Sequence, residues 1–172
     1  MADKILVAIF MGSASDEELV APAAQVLAEL EIPYKITITS AHRTPARTEK
    51  LVDELENAGC QVFICAAGMA AHLAGAVAAR TIRPVIGIPL TASALGGLDA
   101  LLATVQMPPG YPVATVSLDK PGARNAAWLA AQIIALGCPK TAANLLKARK
   151  NNSMAVEKAA SELEARFKQP TT

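Results

Sequence analysis

The segment TSAHRTPAR, residues 39–47, places one of the two histidines of the chain next to an arginine. His42 provides an imidazole that can take up or release a proton near neutral pH. Arg43 provides a planar guanidinium that suits a phosphate or a carboxylate. Thr44 and Pro45 are typical of a helix start, and the positive end of a helix dipole disfavours a protonated imidazole beside it. The segment therefore predicts a general base beside an anion-binding group, although on its own it also fits an ordinary polar loop.

A second candidate segment, MGSASD at residues 11–16, follows the first apolar run of the chain. Gly12 permits a tight turn, and Ser13 and Ser15 supply hydroxyls at the start of a helix whose first N–H groups are unpaired. Ser15 stands three residues before Glu18, which is the spacing of a capping box. The segment has neither a Walker motif nor a dinucleotide-binding GxGxxG, so it predicts a small anion-binding turn or a simple capped turn.

The third candidate segment is AAGMAAHLAG, residues 66–75, which follows another apolar run. Its small side chains would let a ligand approach the backbone closely. His72 falls in the first turns of the next helix, where a ligand contact and a plain surface position both fit the pattern. Together the three segments supply both histidines, an arginine and several hydroxyls, a set that suits an anionic small molecule with a proton to move.

Short apolar runs that alternate with helical patterns position these segments. Five runs bounded by Gly or Pro predict strands buried on both faces, at residues 4–10, 34–40, 61–67, 84–89 and 112–118. Capping residues and periodicity predict helices at about residues 15–30, 45–57, 70–81, 122–136 and 139–167. We expect Gly59 to end the second helix in the left-handed conformation and the last helix to kink near Asn151. The connection 89–112 is long for a plain loop, so its helical segment 97–105 is expected to cover the site or reach a neighbouring subunit.

Strand–helix alternation predicts right-handed βαβ units and a three-layer α/β fold. The expected architecture is a flavodoxin-like five-stranded parallel sheet of order 2-1-3-4-5. We assign residues 1–138 to this catalytic domain and residues 139–172 to a C-terminal helical extension. In such sheets, ligands bind outside the carboxyl ends of the strands where the strand order reverses. The three candidate segments follow the first three strands, so they are expected to meet there.

The composition argues against several classes of partner. A net charge of +1 and the lack of a basic stripe argue against binding nucleic acid or an anionic membrane. The apolar run near the N-terminus is too short to span a bilayer. The three cysteines lack zinc-binding spacing, and their odd number favours reduced thiols in the cytoplasm.

Residues 5–136 resemble the N5-carboxyaminoimidazole ribonucleotide mutase family of purine biosynthesis in five segments: MGSASD, SAHRTP, AAHLAG, GLDALLATVQMPPGYPVAT and NAAWLAAQI. The resemblance implies an isomerase that makes 4-carboxy-5-aminoimidazole ribonucleotide on the route to IMP. It implies that the carboxylate leaves the exocyclic nitrogen as CO2 and is then attached to ring carbon C4, without a metal or an organic cofactor. It also implies a homo-octamer in which residues 139–172 pack on neighbouring subunits.

The same resemblance assigns roles within the three segments. His42 would move the protons. Substrate contacts would come from Gly12, Ser13, Ser15, Asp16, Ser40, Ala41, Arg43, Ala67, Gly68, His72 and Leu73. The serines, the aspartate and the arginine would hold the ribose and phosphate, and the third segment would line the CO2 and carboxylate end. The sequence departs from the family pattern at Met69, where glycine is usual, and at Asp119 and Lys120, where the residues are usually smaller and neutral.

Two alternatives remain open at this level. The first is an aminoimidazole ribonucleotide carboxylase that uses CO2 directly; the related group with that activity typically has SAHK, so Arg43 and Pro45 favour the mutase. The second is a non-catalytic phosphate-binding module of flavodoxin-like fold. A phosphoacceptor receiver domain would need an aspartate at the end of the third strand, which here ends in CAAG. A flavin-binding domain would need aromatic side chains in the three segments, which contain none.

Overall fold

Strands and helices alternate along residues 5–167, the part of the chain described in the computed structural model. The strands are β1 Val7–Met11, β2 Tyr34–Ile38, β3 Val62–Gly68, β4 Val85–Leu90 and β5 Ala114–Thr115. The α-helices are α1 Glu17–Glu29, α2 Pro45–Asn57, α3 Leu73–Ala78, α4 Leu98–Val105, α5 Asp119–Ala135 and α6 Pro139–Arg166. The predicted alternation of strands and helices is confirmed.

All strand pairs are parallel, and the sheet has the predicted order β2-β1-β3-β4-β5. Met11, the last residue of β1, pairs with Ile38 at the end of β2 and with Ala66 near the end of β3. This register brings the carboxyl ends of the three strands to one edge of the sheet. The loops that follow β1, β2 and β3 are therefore neighbours, and the strand order reverses between them.

Strand β1 is buried on both faces because helices cover the sheet on either side. Val7, Ile9 and Met11 belong to the core formed with α1 and α5, whereas Ala8 and Phe10 belong to the core formed with α2 and α3. Helix α5 approaches the sheet closely through fully buried alanines: Ala123, Ala126, Ala127, Ala130 and Ala131. The alternation of β1 side chains between two cores confirms the three-layer α/β fold.

The first helix begins differently from the prediction. Ser13, and not Ser15, is the capping residue: its side chain accepts from the Ser15 N–H, and the Asp16 carboxylate accepts from the Ser13 N–H. A short 3-10 turn, Ala14–Asp16, therefore precedes α1. The predicted capping box was wrong because Asp16, rather than Glu18, completes it.

Other bounds also differ. Helix α3 is shorter than the predicted 70–81, β5 is reduced to two residues, and α5 begins at Asp119 rather than at 122. Thr44 precedes α2 as predicted, but its side chain makes no capping hydrogen bond. Gly59 follows α2 with a φ of +98°, as predicted. Helix α6 continues through Asn151, where a kink was expected, because asparagine costs a helix only about 0.7 kcal/mol relative to alanine.

Two apolar surfaces are exposed among residues 5–167. The α4 surface consists of Leu95, Leu98, Leu102 and Val105, each at least 45% exposed. The α6 surface consists of Val156, Leu163 and Phe167, which share one side of the helix and are each at least 49% exposed. Clustered apolar side chains are common at surfaces through which proteins contact other molecules. Neither these two helices nor the others in residues 5–167 are long and apolar enough to cross a membrane.

The three cysteines should differ in their reactivity towards iodoacetamide. Burial raises the pKa of the Cys60 thiol to about 11 and also raises the pKa of Cys65. Cys138 is only partly buried, and hydrogen bonds with Thr141 lower the pKa of its thiol. Because the thiolate is the reacting species, mass spectrometry after alkylation at about pH 8 should find Cys138 modified first. The other two should react only after denaturation, and rapid modification of Cys65 in the native protein would contradict its buried position.

Candidate active site

A cleft of about 500 Å³ opens at the carboxyl ends of β1, β2 and β3. All of the residues predicted for the site line it: Gly12, Ser13, Ser15, Asp16, Ser40, Ala41, His42, Arg43, Ala67, Gly68, His72 and Leu73. Three further lining residues were not predicted, namely Met69, Ala70 and Ala92. The candidate segments converge because the parallel register places the ends of their strands side by side.

A second hollow, of about 550 Å³, lies at the amino ends of β4 and β5. Two arginines line it, but Arg80 pairs with Asp53 at 2.6 Å and Arg83 pairs with Glu56 at 3.4 Å. Both guanidinium groups are therefore already neutralised by carboxylates. The cleft at the carboxyl ends is the stronger candidate for an anionic ligand.

The loop after β1 holds its polar side chains in one hydrogen-bonded turn. The Ser13 N–H donates to Asp16 Oδ2 at 3.0 Å, and the Ser15 hydroxyl donates to Ser13 Oγ at 2.9 Å. The Ser15 hydroxyl also lies 3.3 Å from Asp16 Oδ1. The turn therefore orients Asp16 before a ligand arrives. Its negative charge suits ribose hydroxyls better than a phosphate, because like charges repel.

Arg43 connects the loop after β2 to the loop after β1. Its guanidinium donates a hydrogen bond to the carbonyl oxygen of Gly12, and its backbone N–H donates to Ser40 Oγ at 3.2 Å. None of the ion pairs found within residues 5–167 includes Arg43. An oriented guanidinium with no carboxylate partner in this part of the chain keeps its charge for an anionic ligand.

Hydrogen bonds from three threonines hold the backbone of the His42 loop, a feature that the sequence analysis did not predict. Thr39 and Thr48 are buried, and their hydroxyl oxygens lie 2.8 Å apart. Thr44 Oγ1 accepts from the Ser40 N–H at 2.9 Å, which explains why this side chain does not cap α2. Because His42 lies between Ser40 and Thr44, these bonds fix the backbone on both sides of it. The spacing of Thr44 and Thr48 on one helix face was the only sequence signal.

The two histidines of the chain form a hydrogen-bonded pair in the cleft. His42 Nε2 lies 2.8 Å from His72 Nδ1, and the two rings meet edge to face with centroids 4.9 Å apart. A hydrogen bond between two ring nitrogens uses one proton, so one nitrogen donates and the other accepts. If both of these nitrogens carried a proton, the two N–H groups would face each other and the hydrogen bond would be lost. The pair therefore suits a site that holds one proton and exchanges it with a ligand.

Close backbone packing shapes the loop after β3. A Cβ added to Gly68 would lie 2.4 Å from Ala92 Cβ, so a larger residue would force the two segments apart. Met69 follows with a φ of +54°, a left-handed conformation that glycine adopts freely and other residues adopt at a cost of about 1–2 kcal/mol. The Met69 side chain is exposed at the mouth of the cleft. Position 69 therefore has a backbone conformation that favours glycine, although methionine occupies it.

The cleft differs in chemistry between its two sides. From the second loop, the Arg43 guanidinium reaches the first loop at Gly12, whereas the His42 imidazole reaches the third loop at His72. Residues 5–167 contain no cluster of three or more His, Cys, Asp or Glu side chains arranged to hold a metal ion. The arrangement can hold an anion at one side and move a proton at the other.

Comparison with known proteins adds a family match. A family profile described as AIR carboxylase matches residues 6–155. The N5-carboxyaminoimidazole ribonucleotide mutase of Pyrococcus horikoshii is 47% identical over 163 residues, which cover 95% of this chain and 91% of the relative. The mutase of Bacillus subtilis is 45% identical over 158 residues, which cover 92% of this chain and 98% of the relative.

Two solved structures of PurE proteins have a fold similar to that of this chain. The crystal structure of Treponema denticola PurE gives a TM-score of 0.82 at 28% sequence identity, and the match covers 95% of this chain and 99% of that chain. A variant PurE2 of the same organism gives a TM-score of 0.83 at 28% identity, with 96% and 99% covered. The similarity therefore extends over the whole fold and is not confined to the cleft.

Proposed function

The chain belongs to the AIR carboxylase family, and on this basis we propose that it is an isomerase of purine biosynthesis that converts N5-carboxyaminoimidazole ribonucleotide to 4-carboxy-5-aminoimidazole ribonucleotide. The reaction moves a carboxylate from the exocyclic nitrogen to ring carbon C4. Its substrate is a phosphorylated small molecule, and the cleft of about 500 Å³ suits a ligand of that size.

One observation of this structure carries the proposal: the His42–His72 pair shares a cleft with the guanidinium of Arg43, which has no carboxylate partner within residues 5–167. The substrate has a phosphate at one end and, at the other, a ring that must gain and lose protons. A site with an anion-binding group on one side and a proton-exchanging pair on the other matches that polarity.

We assign the proton transfers to His42. In the first half of the reaction, the bond between nitrogen and the carboxylate carbon breaks, CO2 leaves, and protonated His42 gives a proton to the nitrogen. In the second half, C4 attacks CO2, and the C4 proton passes to neutral His42 as the ring regains aromaticity. One proton is delivered and one is recovered, so the enzyme returns to its starting state. His72, 2.8 Å away, orients the imidazole.

The remaining groups of the cleft bind and enclose the substrate. Arg43 suits the phosphate, and the Ser13 turn with Asp16 suits the ribose hydroxyls. CO2 is uncharged and must stay beside C4 until it is attacked. Gly68 and Ala92 line the cleft with small side chains, which leave room for CO2 while their close packing restricts its escape.

The test is an assay with two substrates. Purified protein should form the 4-carboxy product from N5-carboxyaminoimidazole ribonucleotide in buffer without added bicarbonate, as followed by absorbance or NMR. Faster product formation from aminoimidazole ribonucleotide and bicarbonate would instead identify a direct carboxylase. If neither substrate gives product, the protein is not an enzyme of this reaction and the non-catalytic alternative stands.

We also propose that the protein is a homo-octamer in the cytoplasm. The exposed α4 and α6 surfaces support self-association, because they present apolar side chains that residues 5–167 of one protomer leave uncovered. Residues 151–166 of α6 are exposed throughout, as expected of an extension that packs on neighbouring subunits. The three free cysteines support a reducing compartment.

Charges introduced on these surfaces should dissociate the assembly. Leu102 and Val156 are exposed in the protomer, so Leu102→Glu and Val156→Glu should leave each protomer folded. Burying the new carboxylate at an interface should weaken association by about 100-fold or more, measured as a fall in mass by light scattering after gel filtration. Glu49→Lys, at an exposed position on α2, serves as the control for a surface charge change. If Leu102→Glu and Val156→Glu both remain octameric, these surfaces are not the interfaces of the assembly.

A further inference from the structure

We propose that Asp119 is a positioning residue for this reaction, because it holds the loop between β4 and α4 in the shape that closes the cleft behind Gly68. The loop comprises residues 91–97, and Ala92 is its member that lines the cleft. The proposal rests on the proposed function, since it gives Asp119 a part in that reaction. Asp119 itself does not line the cleft, so any effect on the substrate has to pass through the loop.

The Asp119 carboxylate accepts two hydrogen bonds from the first residue of this loop. The Thr91 N–H donates to Oδ1 at 2.9 Å, and the Thr91 hydroxyl donates to Oδ2 at 2.6 Å. Both carboxylate oxygens therefore bind one residue that lies 28 positions earlier in the chain. Paired hydrogen bonds to an ionised carboxylate fix orientation as well as distance, so they define the direction in which the chain leaves β4.

Thr91 transmits this constraint to the wall of the cleft. The Ala92 N–H donates to the Leu90 carbonyl at 2.9 Å, so the chain turns tightly around Thr91. The Ala92 side chain packs directly on Gly68, where an added Cβ would lie only 2.4 Å away. The far end of the loop returns to the same place, because a Cβ added to Gly97 would lie 3.0 Å from Thr91 Cγ2. A displacement of Thr91 would therefore move Ala92 relative to Gly68.

The backbone of Asp119 supports the same conclusion. Asp119 has a φ of +54° at the first residue of α5, in the left-handed region that glycine adopts most easily. Packing fixes this turn, since a Cβ added to Gly122 would lie 1.7 Å from the Ser117 carbonyl oxygen. Local conformation alone would favour glycine at position 119. The two hydrogen bonds to Thr91 account for an aspartate there, and a strained residue of this kind is a reason to look for function.

The test uses two substitutions at Asp119. Asp119→Gly removes both acceptors but fits the left-handed backbone, so relief of the strained φ should offset much of the lost hydrogen bonding and the melting temperature should fall only slightly. We expect kcat to decrease about 10-fold with KM within about 2-fold of wild type, because the phosphate-binding loops are untouched. Hydrogen–deuterium exchange of residues 91–97 should become faster. Asp119→Asn keeps one oxygen for the Thr91 N–H and tolerates positive φ, so it should restore most of the lost turnover.

Lys120→Ala provides the control, because it removes the neighbouring ion pair with Glu18 and should leave kcat unchanged. Wild-type kcat in Asp119→Gly would overturn the proposal. So would a loss of kcat that comes with unchanged exchange in residues 91–97, or a lower melting temperature that Asp119→Asn does not correct. If the wild-type protein fails to convert the ribonucleotide, the proposed function is wrong, whereas the exchange rates still decide whether Asp119 holds the loop.

Discussion

Replacement of His42 by asparagine should leave the protein folded and lower its turnover of N5-carboxyaminoimidazole ribonucleotide by about 100- to 10,000-fold. His42 is exposed, so the substitution removes no core packing. Asparagine cannot take up a proton in the working pH range, and because its amide reaches only the position of imidazole Nδ1, the bond from Nε2 to His72 is lost as well. The threonine hydrogen bonds on either side of residue 42 remain to hold the loop, so the loss reports on the imidazole itself. Steady-state kcat at saturating substrate measures the loss, and circular dichroism checks the fold.

His72→Leu is the informative comparison, because His42 keeps its imidazole but loses its hydrogen-bond partner, the His72 Nδ1 that lies 2.8 Å from His42 Nε2. If His72 only orients His42, we expect a smaller loss of kcat, about 10-fold, with a shifted pH profile. Near wild-type turnover in His42→Asn would contradict the assignment of proton transfer to His42. A larger loss in His72→Leu than in His42→Asn would exchange the two roles.

The fold could be predicted from the sequence because its central strands are buried on both faces. Such strands appear as continuous apolar runs, and VAIFM and VFICAAG each run up to a glycine at the carboxyl end. The start of α1 could not be located in the same way. Ser13 and Asp16 match the capping-box spacing as well as Ser15 and Glu18 do, and only the path of the chain decides between them.

The members of the site could be predicted because the carboxyl ends of neighbouring parallel strands meet at one edge of the sheet. Their contacts could not be, because each joins segments far apart in the chain. His42 and His72 are 30 residues apart, and Asp119 reaches Thr91 across 28. In the sequence, Asp119 was noticeable only as a departure from the family pattern. Ala92 carried no signal, since an alanine in a small-residue loop has no chemistry of its own.

Replacement of Arg43 by methionine should raise KM about 100-fold and leave kcat within about 3-fold of wild type. The guanidinium is anchored on the Gly12 carbonyl and has no carboxylate partner within residues 5–167, so a bound phosphate would be its main ionic contact. Methionine keeps the length of the side chain but removes both the charge and the donors. KM of Arg43→Lys should lie between those of the wild type and Arg43→Met, because lysine keeps the charge and loses the paired donor geometry.

Salt provides a second measurement of the Arg43 interaction. If Arg43 binds the phosphate, KM of the wild type should rise with ionic strength more steeply than KM of Arg43→Met, because the variant no longer has the charge that salt screens. Arg83→Met is the matched control: it removes the same charge near the opposite edge of the sheet, where Arg83 pairs with Glu56, and should leave KM within about 2-fold. Equal salt dependence in wild type and Arg43→Met, or an effect on kcat alone, would place Arg43 outside phosphate binding.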